Sequence, residues 1–277
     1  MHLPSPYHAF LALHERPGIF AMPNAWDATS ALVLKDAGFE SLGTSSAALA
    51  ASLGRPDGRH ALSLQEHLAH AQLLGRVTGL PINGDFEDGY GETPEEVAAT
   101  VEAAIEAGLA GVGIEDTSGH PDAPIRAFDE AVARMAAAAK VAKGRIVLTG
   151  RTDNYLHGRP DLDDTIRRLT AFAEVGADVL YAPYPTNLDH VMAIVRAVAP
   201  KPVNLVVGTV EGPVPMEALL AVGVKRVSIG GAFYARVMAD LRLAAQHLRG
   251  GDVASATAGA RWRDVAALVA TVPPGTP

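Results

Sequence analysis

The stretch Pro81–Gly91, PINGDFEDGYG, ends a short apolar run in closely spaced carboxylates and then breaks into glycine. Asp85 and Glu87 are two residues apart at the end of a predicted strand, so alternation sends both side chains to one side. Like charges held together repel, and a cation or a proton between them relieves the repulsion. Hard, oxygen-preferring Mg²⁺ suits such a pair, because it takes one or two carboxylates and keeps its other positions for water and substrate oxygens. Gly89 and Gly91 let the backbone turn tightly beside a ligand. The competing reading makes these acids a cap for the next helix. That helix has its own capping box, with Thr93 at N-cap, Pro94 at N1 and Glu96 at N3.

Outward from this stretch the same unit recurs. Apolar strands are predicted at 19–22, 41–45, 80–86, 111–115, 146–150, 179–182, 203–207 and 226–229, with helical spacing between them. Strand alternating with helix about eight times is the pattern of an α/β protein with a (β/α)₈ TIM barrel. Ala37-Gly38, Ala107-Gly108, Val175-Gly176 and Val222-Gly223 read as helix C-caps that feed strands, and Gly75 as the end of a helix over 63–74. A doubly wound sheet is the alternative, but no GxGxxG follows the first strand. Residues 7–16 form a short helix ahead of the barrel. Residues 1–277 read as a single barrel domain, with 252–270 as a C-terminal helical extension beyond the Gly250-Gly251 break. That extra helix, with Val265, Leu268 and Val269 on one face, packs against the barrel's side or exchanges with a partner subunit.

Composition bounds the function. The 277 residues include 48% hydrophobic and 19% charged residues, enough for a sizeable core. The net charge of −8 with dispersed basic residues argues against a nucleic-acid partner. The absence of cysteine excludes disulfides, thiolate metal sites and a cysteine nucleophile. No signal-like start and no apolar stretch of membrane length are present, so no membrane role and a cytoplasmic location are expected.

Chemistry in such a barrel sits at the C-terminal strand ends. Those ends carry Ser45 and Ser46 after strand two with Asp57 in its loop, Asp85 and Glu87 after strand three, and Glu115 and Asp116 after strand four. Arg151 and Asp153 follow strand five, and Asn204 lies on strand seven. Arg151 can bind a carboxylate bidentately, or pair with Asp153. His120 reads equally as a base or as a surface loop residue. His67 and His70, one helical turn apart, lack a third ligand and read as a solvated face.

Taken together, PNAWDATSALVLKDAGFESLGTSSAALAASLGRPDG, GDFEDGYG, GVGIED and GRTD resemble the isocitrate lyase/phosphoenolpyruvate mutase superfamily over most of the chain. The resemblance implies a barrel with a swapped last helix, a homodimer or homotetramer, and Mg²⁺ (or Mn²⁺) chemistry on 2-oxo acids through an enolate. It places Asp57, Asp85, Glu87 and Glu115 around the metal and its waters. Ser45 with the Ser46 and Ala47 amides falls at the substrate carboxylate, joined by Arg151 and Asn204. The loop after strand four departs from the family's lyases: Asp116-Thr117-Ser118-Gly119-His120 has neither Lys nor Cys. Ser118 stands at the cysteine position, a far poorer acid, and with His120 and Arg151 completes the catalytic candidates. Pro183 stands where the lyases carry Glu and the mutases His. The expected activity is a Mg-dependent carbon–carbon lyase or decarboxylase on a small 2-oxo or 2-hydroxy dicarboxylate. The alternatives are a C–P bond enzyme, such as a phosphonopyruvate hydrolase or mutase, and a metabolite-binding protein without catalysis.

Overall fold

The computed structural model describes residues 5–207, 214–259 and 261–273. Eight strands alternate with helices. The strands are β1 (Phe20–Ala21), β2 (Leu42–Gly43), β3 (Ile82–Asp85), β4 (Gly111–Glu115), β5 (Val147–Arg151), β6 (Val179–Tyr181), β7 (Val203–Val206) and β8 (Arg226–Ser228). The first helices are α1 (Pro6–Glu15), α2 (Ala28–Asp36), α3 (Ser46–Ser52), α4 (Leu64–Thr78), α5 (Pro94–Glu106) and α6 (Phe128–Ala142). They are followed by α7 (Leu162–Glu174), α8 (Leu188–Val198), α9 (Met216–Ala221), α10 (Ala232–Arg249), α11 (Val253–Ala256) and α12 (Trp262–Val269).

All strand pairs are parallel, in the order β1-β8-β7-β6-β5-β4-β3-β2. The remaining seam is closed by a parallel bridge between Asn24 and Gly43. The architecture is a (β/α)₈ barrel. The main core lies between strands and outer helices, where Leu74, Val101, Ile114, Leu148, Phe172 and Leu180 are fully or almost fully buried. Helix α1 plugs the N-terminal end: Phe10 and Leu13 pack with Phe20, Ala110, Val147 and Val179 from the starts of the strands. With that end sealed, the opposite mouth is left for ligands. No helix among the described residues is long and apolar enough to cross a membrane.

Local chemistry explains most boundaries. Thr93 and Glu96 form the reciprocal capping box of α5, and Asp27 and Ser30 do the same for α2. Three expectations change. Helix α4 runs a turn past Gly75 and stops at Gly79, which takes the left-handed conformation with φ +69°. The small residues after β2 form α3, capped by Ser45. The C-terminal extension holds two short helices, α11 and α12, rather than one, and α12 lies on α2 of its own chain, with Leu268 and Val272 against the core.

Candidate active site

Strand register builds the site. Glu115 pairs with Arg151, Arg151 with Tyr181, Tyr181 with Asn204, and Asn204 with Arg226 along β4 to β8. Registered neighbours in a parallel sheet share a face, so five polar side chains in one row project into the barrel. Arg151 is the hub of the upper end. Its Nε donates to Asp153 Oδ1 at 2.5 Å and its Nη2 to Asp153 Oδ2 at 2.8 Å. Its Nη1 reaches Glu115 Oε2 at 3.0 Å and Asp85 Oδ1 at 3.3 Å. Burial alone would lower the Arg151 pKa, but Asp153 and Glu115 outweigh it and raise it well above the ordinary value. Burial pushes the Glu115 carboxyl well above the usual carboxylate range, in spite of Arg151.

The strand-three acids diverge. Asp85 ends β3, and its Oδ2 accepts from the Ser46 amide and hydroxyl, both at 3.1 Å. Glu87 lies past the strand in the left-handed region, with φ +46°. Its carboxylate accepts from the His60 amide at 2.6 Å and from the Tyr90 hydroxyl at 3.1 Å. Burial raises the Glu87 pKa. The next residue, Asp88, is fully buried and gathers Arg59, His60 and Arg126, which fastens the 54–60 loop over the turn. Asp57 is exposed on that loop, where its Oδ1 accepts from the Gly58 amide.

A cavity of about 190 Å³ runs down from these groups, bordered by Ser45, Ser46, Ala47, Asp57, Asp85 and Arg151 near its mouth. Tyr181, Asn204 and Arg226 line it as well. Glu87, Glu115 and His120 border an outer recess that shares Ser46, Asp57 and Arg151 with it. Ser45 caps α3, its hydroxyl accepting from the Ala48 amide. Asn204 is committed to Arg226 and Ser228 through its Oδ1 and Nδ2. Ser118 is turned into its own loop, donating to Ala123 O and accepting from the His120 amide. His120 is exposed at the tip of that loop.

The donor set can be tested against a divalent ion. Among the described residues, no three acidic or histidine side chains form a preassembled metal cluster. Yet Asp85, Glu115 and Asp153 surround one guanidinium, so carboxylate exceeds cation, and all the donors are hard oxygens. An ion that needs only one or two direct carboxylates fits that chemistry.

A family model for phosphoenolpyruvate phosphomutase matches residues 10–249. The chain belongs to the phosphoenolpyruvate mutase/isocitrate lyase superfamily. An oxaloacetate decarboxylase of Paraburkholderia xenovorans is 32% identical over 250 residues, covering 86% of this chain and 81% of that one. A solved Burkholderia cenocepacia protein, provisionally assigned as a lyase/mutase, superposes with a TM-score of 0.91 at 44% identity, covering 98% and 96%. The structure of an oxaloacetate acetylhydrolase with its product oxalate superposes with a TM-score of 0.85 at 27% identity, covering 96% and 94%.

Against that superfamily frame, sequence reasoning passed over three residues of this site. Tyr181 and Arg226 are inward positions on β6 and β8, and they look like ordinary strand residues until register aligns them with Arg151. Tyr90 stood inside the quoted acidic stretch, where its spacing of three from Glu87 was a usable signal. His67 is buried rather than solvated: its Nε2 pairs with the Thr44 hydroxyl and its Nδ1 with the Tyr90 hydroxyl. Burial lowers its pKa to about 4, so it is a neutral strut behind the acids.

Proposed function

We propose that this superfamily member is a divalent-metal-dependent carbon–carbon lyase or decarboxylase, acting on a small 2-oxo or 2-hydroxy dicarboxylate through an enolate. The observation that carries this reading is the Arg151 guanidinium set among Asp85, Glu115 and Asp153 at the barrel mouth. Asp85 and Glu115 would hold Mg²⁺ or Mn²⁺, with Glu87 meeting its waters and Asp57 at the rim. Such an ion, when bound, supplies Lewis-acid stabilisation of charge on substrate oxygens. The protein's own groups do the rest. Arg151 Nη1 and the Ala47 amide at the start of α3 orient a carboxylate, and Asp153 fixes the guanidinium plane.

In the decarboxylation the C–C bond electrons pass into the 2-oxo group, CO₂ leaves, and the enolate carbon then takes a proton. Tyr181 is the donor best placed to supply it. Its phenol lines the cavity, burial raises its pKa so that it stays protonated, and among the described residues its hydroxyl has no hydrogen-bond partner. Ser118 is committed to its loop and His120 lies outward.

A second reading, cleavage of a C–P bond, draws on the phosphomutase family model. Oxaloacetate, substituted malates, methylisocitrate and phosphonopyruvate, each with Mg²⁺ or Mn²⁺, separate the two. Pyruvate or glyoxylate release from a carboxylate substrate is expected. Phosphate release from phosphonopyruvate alone would overturn the lyase assignment. The working form is proposed to be a homodimer or homotetramer, because α10 has no buried residue and exposes Phe233, Val237, Leu241 and Leu248.

A further inference from the structure

Arg226 on β8 is 1% exposed and sits across the barrel below the site. Every group that holds it is neutral. Its Nε donates to Asn204 Oδ1 at 2.8 Å, its Nη2 to Thr149 Oγ1 at 3.0 Å, and its Nη1 pairs with His14 Nε2 at 3.3 Å. His14 Nδ1 is bound to Phe10 O at 2.9 Å, and burial with Arg226 keeps His14 uncharged, its pKa lowered to about 3. Among the described residues no carboxylate pairs with Arg226, and the guanidinium pKa is pushed down to about 9 by burial.

The other buried arginines are not like this. Arg126 meets Asp88, Glu92 and Glu130; Arg168 meets Asp116 and Asp164; Arg151 meets three carboxylates. Arg134, without an ion pair, still binds the Asp88 carbonyl within the field of Asp88 and Glu130. A buried charge without a counter-charge is costly to a fold unless something else compensates it. Arg226 lines the same cavity as Arg151 and Asp85, and stands at the far end of the registered row that begins at Glu115. The lower end of the cavity thus carries a cation without a counter-charge, while the upper end has an excess of acid.

We propose that Arg226 is the counter-ion for a second carboxylate of the ligand, so that the cavity selects dicarboxylates held between the mouth and Arg226. The inference rests on the functional reading above for the 2-oxo acid end, and adds the residue that recognises the other end. Two donors of one guanidinium can then grip a carboxylate in its plane.

The test compares pyruvate with 3,3-difluorooxaloacetate by calorimetry on the full chain with Mg²⁺, in wild type and Arg226→Met. Wild type is expected to prefer the dicarboxylate by about tenfold or more, and Arg226→Met to hold pyruvate within about threefold while losing most of that preference. The ligand-free melting temperature of Arg226→Met is expected to fall modestly, because buried Asn204, Thr149 and His14 lose a partner, so the ratio of the two affinities is the deciding readout. An unchanged preference in the variant, or a lowered melting temperature with both ligands weakened alike, would overturn the proposal and make Arg226 a packing residue. The guanidinium Nε–H signal of wild type gives a reading free of any variant. It should move with the dicarboxylate and not with pyruvate, and a signal indifferent to both also overturns the proposal. Tight dicarboxylate binding without turnover would instead sink the lyase assignment and leave Arg226 in its role. Wild type that binds neither ligand would sink both.

Discussion

Charge at single residues sets what this site can do. Asp85 is held by Ser46 and faces Arg151 without supporting the apolar core. Asp85→Ala is therefore expected to abolish Mg²⁺ binding in calorimetry while the far-ultraviolet circular dichroism stays the same. Unchanged Mg²⁺ affinity would remove Asp85 from the metal set. Tyr181→Phe keeps the ring beside the Arg151 guanidinium, 5.3 Å from its centroid, and removes only the hydroxyl. It should lower turnover by about a hundredfold, with pyruvate affinity unchanged. A variant as active as wild type would mean that another group delivers the proton. His14 supplies a pH dependence. Its folded pKa of about 3 lies below the ordinary 6.5, so between those values the unfolded chain takes up a proton that the native state refuses. Stability is full above pH 6.5 and falls on acidification, by roughly 2 kcal/mol from this group at pH 5. Urea titrations at pH 7 and pH 5 should show the loss, and His14→Gln should reduce it; an equal loss in the variant would assign it elsewhere.

At the level of elements, the turn from β3 into α5 is the most tightly specified segment. Gly89 has φ +87°, and Glu87 and Tyr90 beside it also lie in the left-handed region. A Cβ on Gly91 would clash with Glu96 Cβ, in the residue that completes the α5 capping box. Gly91→Ala should cost about 1–2 kcal/mol through the lost cap and also loosen Glu87. Chemical denaturation measures the first effect and Mg²⁺ affinity the second. Wild-type values for both would show that the turn has room to relax. Much of this segment was legible in sequence, because Thr-Pro-Glu-Glu and Gly-Tyr-Gly encode caps and turns over a few residues. The run of small residues after β2 and the end of α4 were not. Ser46–Ser52 becomes helical only because Ser45 caps it and Leu49 and Ala50 find a pocket with Leu62. Gly75 stays inside α4, where a Cβ would make only ordinary contact with Ile82, and the helix stops at Gly79, whose left-handed conformation closes it.

For the whole molecule, the unpartnered surface extends beyond where spacing placed it. Residues 253–270 looked like the helix in search of a neighbour; α12 touches α2 of its own chain and still exposes Trp262 and Val269, and α10 adds a further uncovered apolar side. Phe233, Val237 and Leu241 follow one another at i, i+4 and i+8, a stripe that a second copy of the barrel can cover. Light scattering of the full chain is expected to give a dimer or tetramer. Val237→Glu with Leu241→Glu should shift it to monomer and lower its heat resistance. A full-length monomer, or an assembly that ignores both charges, would mean that the α10 stripe is not the contact between copies.

The sequence by itself determined the strand and helix alternation, the caps, the acids at the strand ends and the family, because each is written in residues near one another or in a motif. Only the tertiary structure decided that Arg151 draws in Asp85 from β3 and Glu115 from β4, and that Ser118 faces its own loop. It also brought Tyr181 and Arg226 into the row of Arg151. Those facts depend on parallel register and barrel closure, which join residues dozens of positions apart. Local periodicity carries no information about which strand's third residue will face which.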